Sequence, residues 1–251
     1  RLALQERGRE NQDMIVFSFW PDTIMIKEIG DPLTVGKYLE LGNEKLNARI
    51  IMAQGRQNTN YAIDLYACHP FFIQGFSTMT NGENTAFVPI REYLKSRGEP
   101  GYTGFYSDSE VFVHILHYTL KHLGLGVDAY KHVITPLQDG DLESHPNGDF
   151  LTHLKRTCRK LIIDGPNCVI GLLPDNTMFM TQDRKKLRPG VVGGQSGTWA
   201  FSSEVCGLDY VLPGRDKHTD FQPMHLDTAV VRPDRREVHI CKQMQRLPRL
   251  H

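Results

Sequence analysis

The 251-residue chain has no excess charge, with Lys plus Arg and Asp plus Glu at 29 each. That balance gives no electrostatic reason to expect nucleic acid or an anionic membrane as partner. No apolar run approaches the ~20 residues that a membrane-spanning helix needs. Cysteine is scarce: the five, at positions 68, 158, 168, 206 and 241, are odd in number and never spaced Cys-x-x-Cys. Neither a disulfide framework nor a zinc site is expected, and a reducing cytoplasm fits. Tandem repeats, Pro/Ser-rich linkers and nucleotide, flavin or iron–sulfur motifs are also missing, so no cofactor is expected in this chain. What is present is a globular composition, 40% apolar and 23% charged, sufficient for one large domain, and a single domain over 1–251 is expected. Position 1 is Arg rather than Met, inside a helix-like segment, so the natural start is expected upstream.

In chain order, Leu2 to Gly8 reads as the end of a helix closed by glycine. Met14–Phe19 and Thr23–Lys27 read as a hairpin around Trp20-Pro21-Asp22, and residues 49–54 as a third strand. Between them, Asp31-Pro32 marks the start of a helix or of a loop with a short helix. The run after Cys68-His69-Pro70, to Phe76, reads as a fourth strand, and Ala86 to Arg97 as a helix ended by Gly98. Ser107-x-x-Glu110 is a capping-box pattern before the one-sided apolar set Val111, Phe112, Ile115, Leu116 and Leu120, placing Asp108 in a first helical turn. Residues 126–148, rich in His, Gly and Asp, read as irregular, and 149–162 as an amphipathic helix with Phe150, Leu154, Cys158 and Leu161 on its stripe. Strands follow at 168–173, 177–180, 198–202, 228–231 and 237–242. Strands grouped as hairpins with helices between the groups point to α+β architecture with antiparallel sheets.

Three polar groups stand where loops meet apolar runs: Arg56, the Asn81-Gly82 pair, and Asp108. A guanidinium, a glycine N–H and a carboxylate can hold an amino acid by its carboxylate, its side-chain oxygen and its ammonium. Plainer readings exist for each, namely a surface ion pair for Arg56, an ordinary turn for Asn81-Gly82 and a capping carboxylate for Asp108. His114, His117, His122 and His132 fit a capped amphipathic helix and its surroundings without a metal, and none is expected.

Several segments carry a resemblance in their order. Glu6-Arg7-Gly8, Gly55-Arg56-Gln57-Asn58-Thr59-Asn60 with the downstream Cys68-His69-Pro70-Phe71, Asn81-Gly82, Ser107-Asp108-Ser109-Glu110-Val111, Asp183-Arg184-Lys185-Lys186-Leu187-Arg188-Pro189 and Phe201-Ser202-Ser203-Glu204-Val205 together resemble the class II glutamine amidotransferases. These are N-terminal-nucleophile hydrolases, and the branch most similar is that of glutamate synthase and amidophosphoribosyltransferase. The resemblance implies a four-layer αββα sandwich of two antiparallel sheets. It implies that Arg56 binds the glutamine α-carboxylate and Asp108 its ammonium, that Asn81 and Gly82 form the oxyanion hole, that Thr59 and His69 shape the site, and that Arg7 lies near the nucleophile. It further implies glutaminase activity, with L-glutamine as substrate and ammonia delivered to a partner synthase subunit or domain.

The sequence departs from the family pattern in three places. The family nucleophile is a cysteine at the mature N-terminus, expected here upstream of Arg1, and no Gly-x-Cys-x-Gly elbow of the unrelated triad type replaces it. Thr80 stands where many members have histidine, and Gln57-Asn58 replaces an aromatic-small pair. A catalytically inactive relative serving as a scaffold or glutamine sensor is the alternative that the missing cysteine supports.

Overall fold

The computed structural model describes residues 3–4, 16–55, 64–103, 107–224 and 226–242. From Val16 to Gly55 the chain forms one short helix, α1 (Pro32–Tyr38), and no strand. The Asp31 side chain caps α1 by accepting from the Thr34 N–H at 3.0 Å, as the Asp-Pro signal implied. The expected hairpin around Trp20-Pro21-Asp22 and the strand at 49–54 are corrected. The turn itself closes, Thr23 N–H to Trp20 carbonyl at 3.4 Å, but no ladder forms among the described residues. Ile24 and Ile51 stay 83% and 78% exposed, so β-propensity alone did not make strands where no core face received them.

The run read as one strand ending at Phe76 is a hairpin. β1 (Phe71–Ile73) turns at Gln74-Gly75 into β2 (Phe76–Gly82). Both turn residues have positive φ, 47° and 85°, which matches the right-handed twist of the flanking strands. In consequence Asn81-Gly82 is the end of a strand, paired with Cys168 and Asn167, and not a turn.

After α2 (Phe87–Ser96), the expected capping box does not close. The helix α3 (Glu110–His117) starts after Ser109, and the Glu110 carboxylate instead accepts from the Thr103 N–H and hydroxyl at 2.6 and 2.9 Å. Asp108 therefore sits just before the helix. A π-helical turn, Tyr118–His122, extends α3.

The segment expected to be irregular holds α4 (Val127–Ile134) and α5 (Asp139–Ser144), followed by α6 (Gly148–Thr157). All eight α4 residues are buried. One of its polar side chains is served by a distant group: Lys131 Nζ donates to the Cys241 carbonyl at 2.8 Å. Lys155 on α6 donates to the carbonyls of His132, Val133 and Thr135 at 3.0, 3.2 and 2.6 Å, closing the C-terminal end of α4. The apolar face of α6 is Leu151 and Leu154, continued by Cys158 and Leu161, while Phe150 is 39% exposed.

Strands β3 (Asn167–Leu172), β4 (Met178–Gln182), β7 (Thr228–Val231) and β8 (Val238–Cys241) complete one antiparallel sheet of order β1-β2-β3-β4-β7-β8. Between β4 and β7, β5 (Val191–Gln195) and β6 (Thr198–Ser202) form a second antiparallel pair, followed by α7 (Val205–Val211). Side-chain alternation sorts the layers. Phe76, Val169, Phe179 and Val230 face the helices in the main core with Phe112, Tyr130 and Leu154. Cys168, Met180 and Ala229 face the other way, against Val192, Trp199 and Phe201 of the second sheet. At Gly193 a Cβ would meet Leu208 of α7 and Arg215, on the face of β5 opposite Val192. The order is thus helix, sheet, sheet, helix. The protein is α+β with two antiparallel sheets, the second having two strands among the described residues.

Burial gives α4 a pH dependence. His132 is held well below its ordinary pKa by burial first, then by the charges of Lys131, His145 and Lys155. Its folded pKa is depressed, so below about pH 6.5 the unfolded chain binds a proton that the folded chain refuses, and stability falls with falling pH. Relative to a His132→Leu variant, the wild type is expected to lose about 1.4 kcal/mol per pH unit below about pH 6. Urea unfolding of both chains from pH 8 to pH 5 checks this, and parallel curves would show that His132 does not titrate on unfolding.

Candidate active site

The described candidates gather at the Gly82 end of β2. His69 lies opposite Thr80 in the continuation of the β1–β2 register, and its Nε2 is 2.9 Å from the Thr80 hydroxyl. Asn81 pairs with Cys168 and so projects on the face of the second sheet, opposite to the His69–Thr80 pair. Gly82 lies so close to β3 that a Cβ would sit 2.4 Å from the Pro166 carbonyl oxygen, so any other residue would force the two strands apart. Directly after it, the Glu83 N–H bonds to that same carbonyl at 3.1 Å.

Asp108 is tied to this strand end. Its Oδ2 accepts from the Asn84 N–H at 3.0 Å and its Oδ1 from the Ser109 hydroxyl at 3.1 Å. A carboxylate has room for about four such bonds, so acceptor capacity remains. The structure therefore brings Asn81, Gly82, His69 and Asp108 to one region, with the sheet's pleat dividing Asn81 from His69. Arg7, Arg56 and Thr59 lie outside the described residues. Gln54, two positions before Arg56, is anchored to the same strand end, its Nε2 donating to the Thr80 carbonyl at 3.2 Å.

Two residues were not singled out from sequence. Asn84 is 2% exposed; its Oδ1 accepts from the Ala86 N–H at 3.1 Å, and its amide nitrogen has no partner among the described residues. A buried donor beside Asp108 is suited to a polar ligand atom. The Asn-Gly-x-Asn spacing was its only sequence signal. The other is Lys27, whose Nζ donates to the Cys68 carbonyl at 2.5 Å and lies 4.5 and 5.1 Å from the Phe17 and Phe71 ring centroids. Burial lowers its pKa to about 8, against the opposing charges of Cys68 and Glu110.

All five cysteines are unpaired. Burial pushes the Cys168 thiol up to about 12, Cys241 to about 11, and Cys158 upward as well, which makes these three poor nucleophiles. Arg184 and Arg188 have structural partners: Arg184 pairs with Asp141 and donates to Gln138 at 3.0 Å, and Arg188 lies 3.4 Å from Glu83. Two surface grooves, one along α2 by Tyr93 and Lys160, the other by Val191 and Val205, do not include the Asn81–Asp108 region. No helix among the described residues is long and apolar enough to cross a membrane.

No protein-family model matches the chain. A protein of Archaeoglobus fulgidus, itself described as uncharacterized, is 27% identical over 232 residues, 91% of this chain and 60% of its own length. The chain thus spans about 60% of that relative. Among solved structures, the glutamine phosphoribosylpyrophosphate amidotransferase of B. subtilis, complexed with ADP and GMP, is similar at a TM-score of 0.46 and 14% identity, over 76% of this chain and 35% of that one. A structure described as the allosteric regulatory enzyme of purine biosynthesis is similar at 0.42 and 15%, over 67% and 28%. At these scores the likeness by itself carries no argument about fold or activity.

Proposed function

We propose that this chain is the glutaminase portion of a glutamine-dependent amidotransferase of the N-terminal-nucleophile type. The observation that carries the reading is the tie between Asp108 and the Asn81-Gly82 strand end through the Asn84 N–H at 3.0 Å, which joins two segments that the motif order had paired. In this reading a cysteine thiolate at the mature N-terminus attacks the glutamine amide carbon. The Asn81 amide and the Gly82 N–H stabilise the resulting oxyanion, and ammonia leaves with a γ-glutamyl thioester remaining. Water then releases glutamate and restores the thiol. Asp108 holds the substrate ammonium, Arg56 its carboxylate, and Thr59 and His69 shape the pocket, with Arg7 beside the nucleophile. Ammonia passes to a synthase subunit or domain. The Asp183-to-Pro189 segment and Ser203-Glu204-Val205 favour a glutamate synthase-like context.

The test is glutamate release from L-glutamine by the full natural protein, after intact-mass measurement of its mature N-terminus. Turnover is expected from a chain that begins with cysteine. A mature cysteine terminus without glutamate release overturns the proposal. Glutamine binding without turnover, in a chain that begins otherwise, identifies the sensor or scaffold reading instead.

A further inference from the structure

At the opposite end of α3 from Asp108, Glu99, His117 and His122 converge. The Glu99 side chain is fully buried, and its two oxygens lie 2.8 Å from His117 Nδ1 and 3.3 Å from His122 Nε2. One potential ligand atom from each residue lies within 4.8 Å of the others. We propose that these three side chains bind a divalent transition-metal ion, zinc being the ion whose preferences they match. Two imidazoles and one carboxylate leave a fourth tetrahedral position for water. With metal–ligand bonds of about 2.0–2.1 Å, ligand atoms stand roughly 3.3 Å apart, so three atoms already within 4.8 Å of one another need close by no more than about 1.5 Å.

The backbone accounts for the convergence. Residues five apart are about 140° apart around an α-helix, so His117 and His122 would not share a partner on one. The π-turn between them closes with the Leu123 N–H on the Tyr118 carbonyl at 3.0 Å, and i→i+5 closure returns the chain to nearly the same azimuth. π-turns cost hydrogen-bond quality and concentrate at functional positions.

The surroundings supply the rest of a metal site. His117 Nε2 is 3.0 Å from the Gln74 amide oxygen. With Nδ1 on the metal, Nε2–H is the donor in that contact, the outer-shell bond that orients a ligating histidine. Gln74 is held by the β1–β2 turn at φ 47°. His122 is stacked on Tyr118 at 5.1 Å and its side chain is 39% exposed, which gives a route in from solvent. The sequence concealed this site because Glu99 follows Gly98 after α2 and stands 18 positions before His117, with no motif spacing between them.

The experiment is a titration of the tag-free, chelator-stripped full chain with Zn²⁺ against a chromophoric chelator, repeated with Co²⁺ for its ligand-field absorption. One equivalent of Zn²⁺ and a tetrahedral nitrogen/oxygen Co²⁺ spectrum are expected. His122→Ala removes a partly exposed ligand and is expected to abolish stoichiometric binding while the far-UV circular dichroism is retained. Gln74→Leu is expected to weaken binding about 10- to 100-fold. No stoichiometric binding to the wild type overturns the proposal, as does binding in His122→Ala equal to wild type. Should His122→Ala unfold, the wild-type Co²⁺ spectrum decides alone, an octahedral all-oxygen spectrum counting against the site.

Discussion

Asp108→Asn is expected, on the proposed role of Asp108 as partner of the glutamine ammonium, to lower kcat/KM for glutamine hydrolysis by about 10²–10³-fold, because removing one partner of a buried charge pair costs roughly 2–5 kcal/mol. The asparagine oxygen still accepts the Asn84 N–H that Asp108 now accepts at 3.0 Å, so the tie between β2 and α3 survives and the loss isolates the charge. The effect should fall on glutamine affinity more than on the rate of the bound complex, since the ammonium is distant from the reacting amide carbon. Thermal unfolding of the same variant is expected to move by only a few degrees, about 2–4 °C per kcal/mol for a chain of this size. An unchanged kcat/KM would remove Asp108 from the site. A large fall in thermal midpoint would make it a structural carboxylate first.

Gly82→Ala should be the most damaging single methyl group in this region. Its Cβ would lie 2.4 Å from the Pro166 carbonyl oxygen and 2.8 Å from the Asn167 Cα. These are backbone atoms of the neighbouring strand and cannot rotate away. β2 and β3 must part locally, which strains the Glu83–Pro166 bond and shifts the Gly82 N–H. Overpacking of this kind costs about 3 kcal/mol, or a midpoint lowered by roughly 6–12 °C. If the Gly82 N–H is the oxyanion donor proposed above, its displacement should cost a further ~10²-fold in kcat. Gly36→Ala is the matched control: its Cβ meets nothing within 4 Å, and inside α1 alanine is expected to stabilise by about 0.5–1 kcal/mol. Differential scanning calorimetry of the two variants separates the cases. Equal midpoints would show that the strand contact at Gly82 yields without cost.

Where the sequence pattern was local, it was legible. The Asp31-Pro32 cap, the helix ending before Gly98, the β3–β4 hairpin around Pro174-Asp175-Asn176 and the β7–β8 pair all follow from turn and cap chemistry within a few residues. Failures occurred where a distant partner decided the outcome. Ile24 and Ile51 have strand propensity, but no strand among the described residues pairs with them. α4 reads as polar, yet Lys155 and the Cys241 carbonyl make its burial tolerable. Ser107-x-x-Glu110 has the spacing of a capping box, but Thr103 offers Glu110 two donors and takes it away from the helix end. β5, with Gly193 and Gly194, carried too little side-chain pattern to be read at all.

For the candidate site the division is the same. The identity and order of Asn81-Gly82, His69 and Asp108 were readable in the chain, because a glycine at a close approach and a charge before a helix are choices each residue expresses by itself. Their placement was not. Only the β2–β3 register sets Asn81 on the second-sheet face and His69 on the other, since a one-residue slip would exchange the faces. Only packing buries Asn84 beside Asp108, and only the π-turn after α3 brings His122 round to Glu99. The sequence by itself determined the layered α+β class, through hairpin-forming strands grouped apart from amphipathic helices. The tertiary structure alone decided which polar groups meet, because contacts between residues tens of positions apart depend on register and layer order, and neither is written in any short stretch of chain.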